Sequence, residues 1–242
     1  MAQNSNMNNV ILYKDFDPAL LNFDAVNKNK MGGKSVRVTY GPSKQPVRIQ
    51  TPALYLPFGI SKYVDEKTGE VSHSVDASFK GMEEDTKILQ FYKIVKAIDD
   101  RVLGTCVERS AEWLGKTMGP DVITEFYRPL VKPPRDEKYS PLFKVKIVPL
   151  PGSKAMPKIF DVKDVHASVD SLDYVTKGST AKFIVTIPSI WFVNKTFGAS
   201  SRLFQMAVMS RPISTESFAF EDEEPGEYAD DIQGHTFISE DY

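Results

Sequence analysis

Basic and aromatic side chains alternate along several short stretches of the chain that are typical of β-strands. In Phe143–Val148, for example, Lys144 and Lys146 share one face of the predicted strand. Ammonium and guanidinium groups bind phosphates, and flat rings stack on bases for about 1–3 kcal/mol each, so this pattern indicates a grip on a single nucleic-acid strand. The residues that we predict to make such contacts are Arg37, Arg48, Tyr55, Lys62, Lys138, Tyr139, Lys144, Lys146, Trp191, Lys195 and Arg202.

Each member of this set also has a simpler interpretation. A single Lys or Arg on a strand is commonly just part of a solvated face. Trp191 and Phe192 are adjacent, so at least one of the two rings points toward the core. The prediction therefore rests on the set as a whole.

Residue patterns for catalysis are missing from the sequence. It contains neither a Gly-x-x-x-x-Gly-Lys-Ser/Thr phosphate loop nor a Gly-x-Ser-x-Gly nucleophile motif. Cys106 is predicted to be a buried packing thiol, and His73, His166 and His235 are scattered singly. The Asp99–Asp100 pair is expected on a solvated helix face. We therefore expect no catalytic residue, no metal site and no cofactor, and an enzyme is disfavoured.

The net charge of −2 hides a division within the chain. Residues 215–242 contain ten of the 32 acidic residues and none of the 30 basic ones, so their formal charge is −10 and that of residues 1–214 is +8. A basic body can bind polyanions by counterion release, and a tethered acidic segment can occupy the same surface.

Two interpretations of this acidic tail stay open. It is either a solvated segment that aids solubility or a docking segment that orders on binding. Aromatic residues such as Phe218, Phe220, Tyr228 and Phe237 are interleaved with the acids, and a purely solubilising tail does not need them.

The elements that must position these residues form a β, helix, β sequence. Ile88, Phe91, Val95, Ile98 and Val102 repeat at steps of three and four and predict a helix beginning near Asp85. A helical insertion is expected at about 82–127, with about nine strands around it. Strands and helices do not alternate regularly, so the fold class is mainly β (α+β), with a partly closed barrel favoured over a doubly wound sheet.

Four segments carry a resemblance to a known family. They are the Trp191–Gly198 hairpin (Trp-Phe-Val-Asn-Lys-x-Phe-Gly), Thr51–Gly59, Ser72–Phe79 and the Lys-rich Tyr139–Ile147. Over about Lys34 to Ser210 the chain resembles the single-stranded DNA-binding proteins of large nucleocytoplasmic DNA viruses, the algal and giant-virus group.

The resemblance implies an oligonucleotide-binding (OB) barrel that coats single-stranded DNA during viral replication and recombination. It also implies an acidic tail that competes with DNA and docks replication proteins, and a location in the host nucleus, a viral replication factory or the virion. The expected organisation is an N-terminal arm (1–30), an OB-like domain (31–214) and the tail (215–242), with a homo-oligomer as a further expectation.

The alternative is a non-enzymatic structural or assembly protein of such a virus, because a β-barrel with a docking tail would serve that role equally. One cysteine allows no intrachain disulfide, which fits a reducing compartment. No apolar run approaches the ~20 residues that cross a bilayer, and the first ten residues lack the pattern of a secretory signal, so no membrane partner is expected.

Overall fold

The computed structural model describes residues 9–28, 33–169 and 171–212 and is mostly β, with a few helices. The predicted acidic tail lies outside the described residues. The strands among the described residues are β1 (Ile11–Leu12), β2 (Leu21–Lys28), β3 (Lys34–Tyr40), β4 (Arg48–Gln50), β5 (Leu54–Tyr55), β6 (Ile60–Val64), β7 (Val71–Ser78), β8 (Tyr127–Arg128), β9 (Val131–Lys132), β10 (Leu142–Ile147), β11 (Lys158–Asp161), β12 (Asp164–Val169), β13 (Thr180–Thr186), β14 (Ser189–Val193), β15 (Thr196–Ala199) and β16 (Arg202–Ser210).

The strands form two sheets. The larger follows the order β1-β4-β13-β5-β7-β10-β16-β11-β12, with β6 paired to β7 and β9 paired to β10. Because β13 also pairs with β16, five strands close a circuit, β5-β7-β10-β16-β13, which we call the strand ring. The smaller sheet has the order β2-β3-β14-β15-β8.

Three of the pairings in the strand ring differ greatly in length. β7 and β10 are antiparallel over six register pairs, and β13 and β16 over seven. β10 and β16 run parallel and share one register pair, Lys146 with Arg202. The amide of Lys146 also donates to the carbonyl of Ser201 at 3.0 Å, and the Ser201 hydroxyl donates to the carbonyl of Lys144. This junction is short but hydrogen-bonded.

β4 and β5 lie end to end along the same edge of β13. The chain bends between them at Thr51 and Pro52, where a proline cannot donate to the ladder. Thr51 repairs the gap, since its amide donates to the Phe183 carbonyl at 2.9 Å and its hydroxyl accepts from the Phe183 amide at 3.0 Å. β4 and β5 therefore act as two parts of one interrupted strand beside β13.

The helices are α1 (Thr86–Glu108), α2 (Ser110–Leu114) and α3 (Pro120–Phe126), which lie inside the segment predicted to be helical. The Asp85 carboxylate caps α1 by accepting from the Lys87 amide at 2.8 Å. The predicted apolar stripe is buried along α1. α1 continues without a break through Gly104, because the buried stripe extends to Cys106.

Two further expectations differ from the structure. The chain has more strands than the nine predicted, because strands such as β5 and β8 are only two residues long and so show no alternation in the sequence. Residues 11–28, which the sequence analysis assigned to an N-terminal arm, instead supply β1 and β2 to the two sheets. Their apolar residues, including Phe16 and Leu21, belong to the common core.

Asp99 is not on a solvated face, and this expectation was also wrong. Its side chain is buried, with 2% of its surface exposed. Its Oδ1 accepts from the Tyr127 hydroxyl at 2.6 Å and from the Leu130 amide at 2.9 Å, and Oδ2 accepts from the Val131 amide at 3.4 Å. Asp99 thus ties α1 to the chain after α3. Burial raises the pKa of Asp99, and these hydrogen bonds oppose that rise.

Cys106 is buried, as predicted. Burial raises the pKa of its thiol to about 11, so the thiol stays protonated near neutral pH. Among the described residues, no group of three or more His, Cys, Asp or Glu side chains is arranged to hold a metal ion. No described helix combines the length and the apolar character needed to cross a membrane.

Candidate nucleic-acid interface

Register aligns a row of polar side chains on the outside of the strand ring. Arg48 on β4 pairs with Thr186 on β13. Thr186 pairs with Arg202 on β16, and Arg202 pairs with Lys146 on β10. Adjacent strands are ~4.8 Å apart, so the row spans about 14 Å. We call Arg48, Thr186, Arg202 and Lys146 the cation row.

The cation row faces outward because its strands alternate. The residues next to its members, Ile49, Val145, Val185 and Leu203, are almost completely buried in the core. Side chains in the row are half-buried or, at Lys146, exposed. The row carries three positive charges and no acid. Three residues from the predicted contact set are therefore neighbours although they are far apart in the sequence.

An aromatic ring lies within the row. Phe204 is two residues after Arg202 on β16 and is half-buried on the outer side. The guanidinium carbon of Arg48 is 4.4 Å from the centre of the Phe204 ring. This cation–π contact places the guanidinium over the ring. The pair combines a cation, which can bind a phosphate, with an aromatic ring of the kind on which bases stack.

A groove continues the same surface beyond the cation row. Its volume is about 290 Å³. It begins beside the row, since Gln50 is two residues after Arg48 and Ile184 is two residues before Thr186. The groove is lined by Gln50, Phe160, Lys182, Phe183, Ile184, Gln205, Met206 and Ala207. It combines a half-buried ring, two amides and one ammonium group, and no acid lines it.

Lys144 lies two residues before Lys146 on the same face, but its electrostatic surroundings differ. It pairs with Asp76 on β7, and the Asp76 carboxylate is 4.0 Å from the Lys132 ammonium. Burial lowers the pKa of Lys132, the Asp76 charge opposes that shift, and Lys144 adds to it. Together Lys132, Asp76 and Lys144 carry a net charge of +1, whereas the cation row carries +3. The positive potential around Lys144 is therefore weaker than that around the cation row.

The other predicted contact residues do not join this surface. Tyr55 is on the outside of the ring, but it pairs with Thr180. Thr180 is six residues before Thr186 on β13, so Tyr55 lies about 20 Å from the cation row. Lys62 is on β6, beside Tyr63, whose exposed fraction is 63%. This hairpin is exposed, but its residues do not pair with the row's cations.

Lys138 and Tyr139 lie in a loop. The Lys138 ammonium is 2.9 Å from the Asp136 carboxylate and 5.0 Å from the centre of the Tyr139 ring. The hydrogen bond from Lys138 lowers the pKa of Asp136, so the two charges neutralise each other locally. The loop presents an exposed ring rather than a free cation.

Arg37 and Trp191 are on the smaller sheet. Arg37 pairs with Ser189 and Trp191 pairs with Ser35, so both side chains share the outer face of that sheet. The Trp191 ring packs across Gly198, where an added Cβ would be 3.0 Å from the indole and 2.6 Å from the Arg128 carbonyl oxygen. Phe192 points the other way and packs against the core, so one ring of the pair is internal, as predicted.

Sequence reasoning missed Phe204 and the groove. Alternation along Arg202–Ser210 was the signal that could have placed Phe204 beside Arg202. No sequence signal could have brought Phe160 and Gln50 to the same groove, because that requires the pairing of β11 with β16 and of β4 with β13.

Comparison with protein-family models identifies residues 75–222 as a match to a family of unknown function, DUF5871. The chain belongs to this family. The matched range takes in the second half of β7, helices α1 to α3 and strands β8 to β16, and thus all or part of four strands of the ring. No curated protein matches the sequence of this DUF5871 member.

Solved structures with a similar arrangement come from bacteriophage Enc34. Its single-stranded DNA-binding protein in complex with single-stranded DNA aligns with a TM-score of 0.42 and 10% identity, over 79% of this chain and 97% of that one. A second structure of the single-stranded DNA-binding protein from this phage aligns with a TM-score of 0.38 and 11% identity, over 86% of this chain and 95% of that one. Similarity at these scores is too low to assign a function to this chain.

Proposed function

We propose that the chain binds single-stranded nucleic acid, with single-stranded DNA as its ligand, on the outer face of the strand ring. One observation carries the proposal: register brings Arg48, Arg202 and Lys146 into one row, and Arg48 forms a cation–π contact with Phe204. Cations in a row match a chain of phosphates, and an aromatic ring beside them suits unpaired bases.

The form of the surface favours a single strand over a duplex. Bases stacked inside a duplex cannot reach a ring on a sheet, whereas the bases of a single strand can turn toward Phe204 and the groove. The groove has a volume of about 290 Å³, which suits a single splayed base, whereas a duplex keeps its bases stacked inside. We also infer that the ring is an OB-like barrel, since five strands close with one parallel junction.

The contacts predict little sequence preference. The row offers charge, and the rings offer π faces, which every base can use. Gln50 and Gln205 are the groove's side-chain amides, and each can donate to or accept from any base. Sequence-independent coating of single-stranded DNA during viral DNA replication or recombination is the role that we propose.

The acidic tail completes this proposal. Residues 215–242 carry a formal charge of −10 and the rest of the chain +8. A tethered polyanion raises the local concentration of negative charge near the cation row, so it would compete with DNA at low salt. When DNA displaces the tail, its interleaved aromatic residues become available to replication proteins.

The experiment that tests the proposal is fluorescence anisotropy with a labelled thirty-base poly-dT strand, at low and high salt, beside the matching duplex. We expect tight binding to the single strand that weakens steeply with salt, and much weaker binding to the duplex. Equal affinity for strand and duplex, or no binding at low salt with and without residues 215–242, would overturn it and favour a structural or assembly role.

A further inference from the structure

A second pocket, distinct from the strand ring, lies between the smaller sheet and the short helices. Its volume is about 550 Å³, within the range of small-ligand sites. It is bounded by the start of β3, the segment from α2 to α3, and the β14–β15 hairpin. Its lining residues are Lys34, Trp113, Leu114, Lys116, Thr117, Met118, Gly119, Val122, Phe126, Phe192, Asn194, Lys195 and Thr196. We call it the lysine pocket.

Three ammonium groups and no carboxylate line the pocket. Lys116 and Lys195 are exposed, and neither forms an ion pair with any residue that the structure describes. Lys34 donates to the Trp113 carbonyl, and its ammonium is 5.1 Å from the centre of the Phe192 ring. Burial, and then the charge of Lys28, lower the pKa of Lys34. An anion in the pocket would relieve this unfavourable positive field.

The neighbouring acid Glu112 fills this role only in part. Its charge raises the pKa of Lys34 and so opposes the effect of burial, but Arg109 binds both of its carboxylate oxygens at 2.9 Å, and Glu112 does not line the pocket. Asp121 and Glu125 are exposed residues of α3 that lie outside the lining. The lining therefore keeps its positive charge.

Trp113 forms the inner part of the pocket wall. The side chain is completely buried, and its indole N–H makes no hydrogen bond to any residue that the structure describes. Its ring is held edge-on by Phe23 at 5.6 Å and Phe192 at 5.9 Å between centroids. Trp113 is therefore a fixed part of the lining, and its fluorescence can report on what binds there.

The rest of the lining is apolar and suits a flat ring. Phe126, Met118 and Val122 form this part, and Val122 is 45% exposed although it is aliphatic. A ligand that fits must therefore combine one or more acidic groups with a planar, partly apolar ring. Three lysines match the double charge of a phosphate monoester better than the single charge of a carboxylate side chain.

We propose that the lysine pocket binds one nucleotide unit, with its phosphate at the ammonium groups and its base on the apolar wall. The nucleotide is either a free nucleoside monophosphate or one unit of a bound strand, because both present a phosphate beside a base. The monoester carries close to two negative charges and the phosphodiester of a strand carries one. The two sites share no lining residue, so this proposal can fail or succeed independently of the strand-ring proposal.

The test uses the fluorescence of Trp113. The chain has two tryptophans, so in a Trp191→Phe background Trp113 reports alone. We expect thymidine monophosphate to change this fluorescence saturably, and thymidine or inorganic phosphate to bind at least about tenfold more weakly, since each lacks half of the contacts. Calorimetry on the unmodified chain makes the same comparison without the Trp191 substitution.

Matched variants show which residues the binding of thymidine monophosphate depends on. Lys116→Gln with Lys195→Gln should weaken monophosphate binding by about tenfold or more, because two of three charged contacts are lost. Lys87→Gln with Lys93→Gln, two exposed residues of α1, changes the net charge equally and should leave it unchanged. Lys146→Gln with Arg202→Gln should also leave it unchanged, even if strand binding is lost.

A competition experiment between poly-dT and thymidine monophosphate distinguishes a free nucleotide from a nucleotide of a bound strand. If poly-dT displaces the monophosphate, the pocket takes a nucleotide of the strand, and if both bind together, it takes a free nucleotide. The proposal is wrong if thymidine monophosphate gives no saturable response or the α1 pair weakens it as much as the pocket pair. It is also wrong if a short acidic peptide with one aromatic residue binds more tightly than the monophosphate, which would make the pocket a peptide site.

Discussion

Replacing Lys146 and Arg202 with glutamine removes two of the three charges of the cation row and leaves the strand pairing beneath them in place. Both side chains are on the outer face, and the register between β10 and β16 depends on backbone groups. The variant should therefore fold normally. Its binding to single-stranded DNA should weaken in a way that depends on salt.

The magnitude follows from counterion release. For a single strand, log K falls with log[salt] with a slope of about −0.7 for each phosphate neutralised. If Lys146 and Arg202 each neutralise one phosphate, the variant's slope should be shallower by about 1.4. Extrapolated to about 1 M salt the affinities should converge, so at about 0.1 M the variant should bind about 25-fold more weakly, or about 1.9 kcal/mol.

The assay is anisotropy with labelled poly-dT at four or more salt concentrations, and the control is Lys87→Gln with Lys93→Gln. The control lowers the net charge by the same amount on α1, away from the sheet. If both double variants reduce the slope equally, the effect is one of net charge and the cation row is not the contact surface. An unchanged slope in the Lys146 and Arg202 variant would refute the assignment directly.

Three other predictions concern the tail and the buried carboxylate. Removing residues 215–242 should strengthen binding to poly-dT at low salt because ten negative charges are lost, and unchanged affinity in the same assay would contradict tail competition. Asp99→Asn should lower the free energy of unfolding in urea by about 1–3 kcal/mol, since the Val131 amide then faces an amide donor or loses its acceptor; an unchanged midpoint would show that the contact is dispensable. The pKa of Tyr127 lies well above its usual 10.0, first because of burial and then because of the Asp99 charge, so its contribution to stability is complete below about pH 10 and is lost as the pH rises through the higher folded-state value. Urea unfolding at about pH 9 and pH 11 should therefore show a smaller loss of stability for Tyr127→Phe than for the unmodified chain, and equal losses would rule Tyr127 out as a source.

The sequence predicts those features that depend on local periodicity. The three-and-four stripe from Ile88 to Val102 placed α1, and the alternation of Phe143 and Val145 with Lys144 and Lys146 placed the two lysines on the outside of β10. In each case the information lies within a few consecutive residues.

Features that depend on contacts between distant segments could not be predicted in this way. That Lys146 is beside Arg202, and Arg48 on Phe204, follows from register across four strands. The buried Asp99 looked like a solvated acid, because its three donors come from residues about thirty positions later in the chain. Lys138 forms an ion pair with Asp136, but its residue type alone could not distinguish it from the cations of the cation row.

The strand ring has two short junctions at which it can open. β10 pairs with β16 only at Lys146 and Arg202, and β5 pairs with β7 only at Tyr55 and Ser78, whereas six register pairs hold β7 to β10. Local opening begins where the fewest bonds must break, so the amides at these two junctions should exchange with solvent before those in the middle of the β7–β10 ladder. A ligand that contacts both Lys146 and Arg202 spans the β10–β16 junction and binds only when this junction is closed, so it holds the two strands together. Ligand binding would then reduce how often the ring opens there. Slower amide exchange at the β10–β16 junction would report this binding without any change in the average structure.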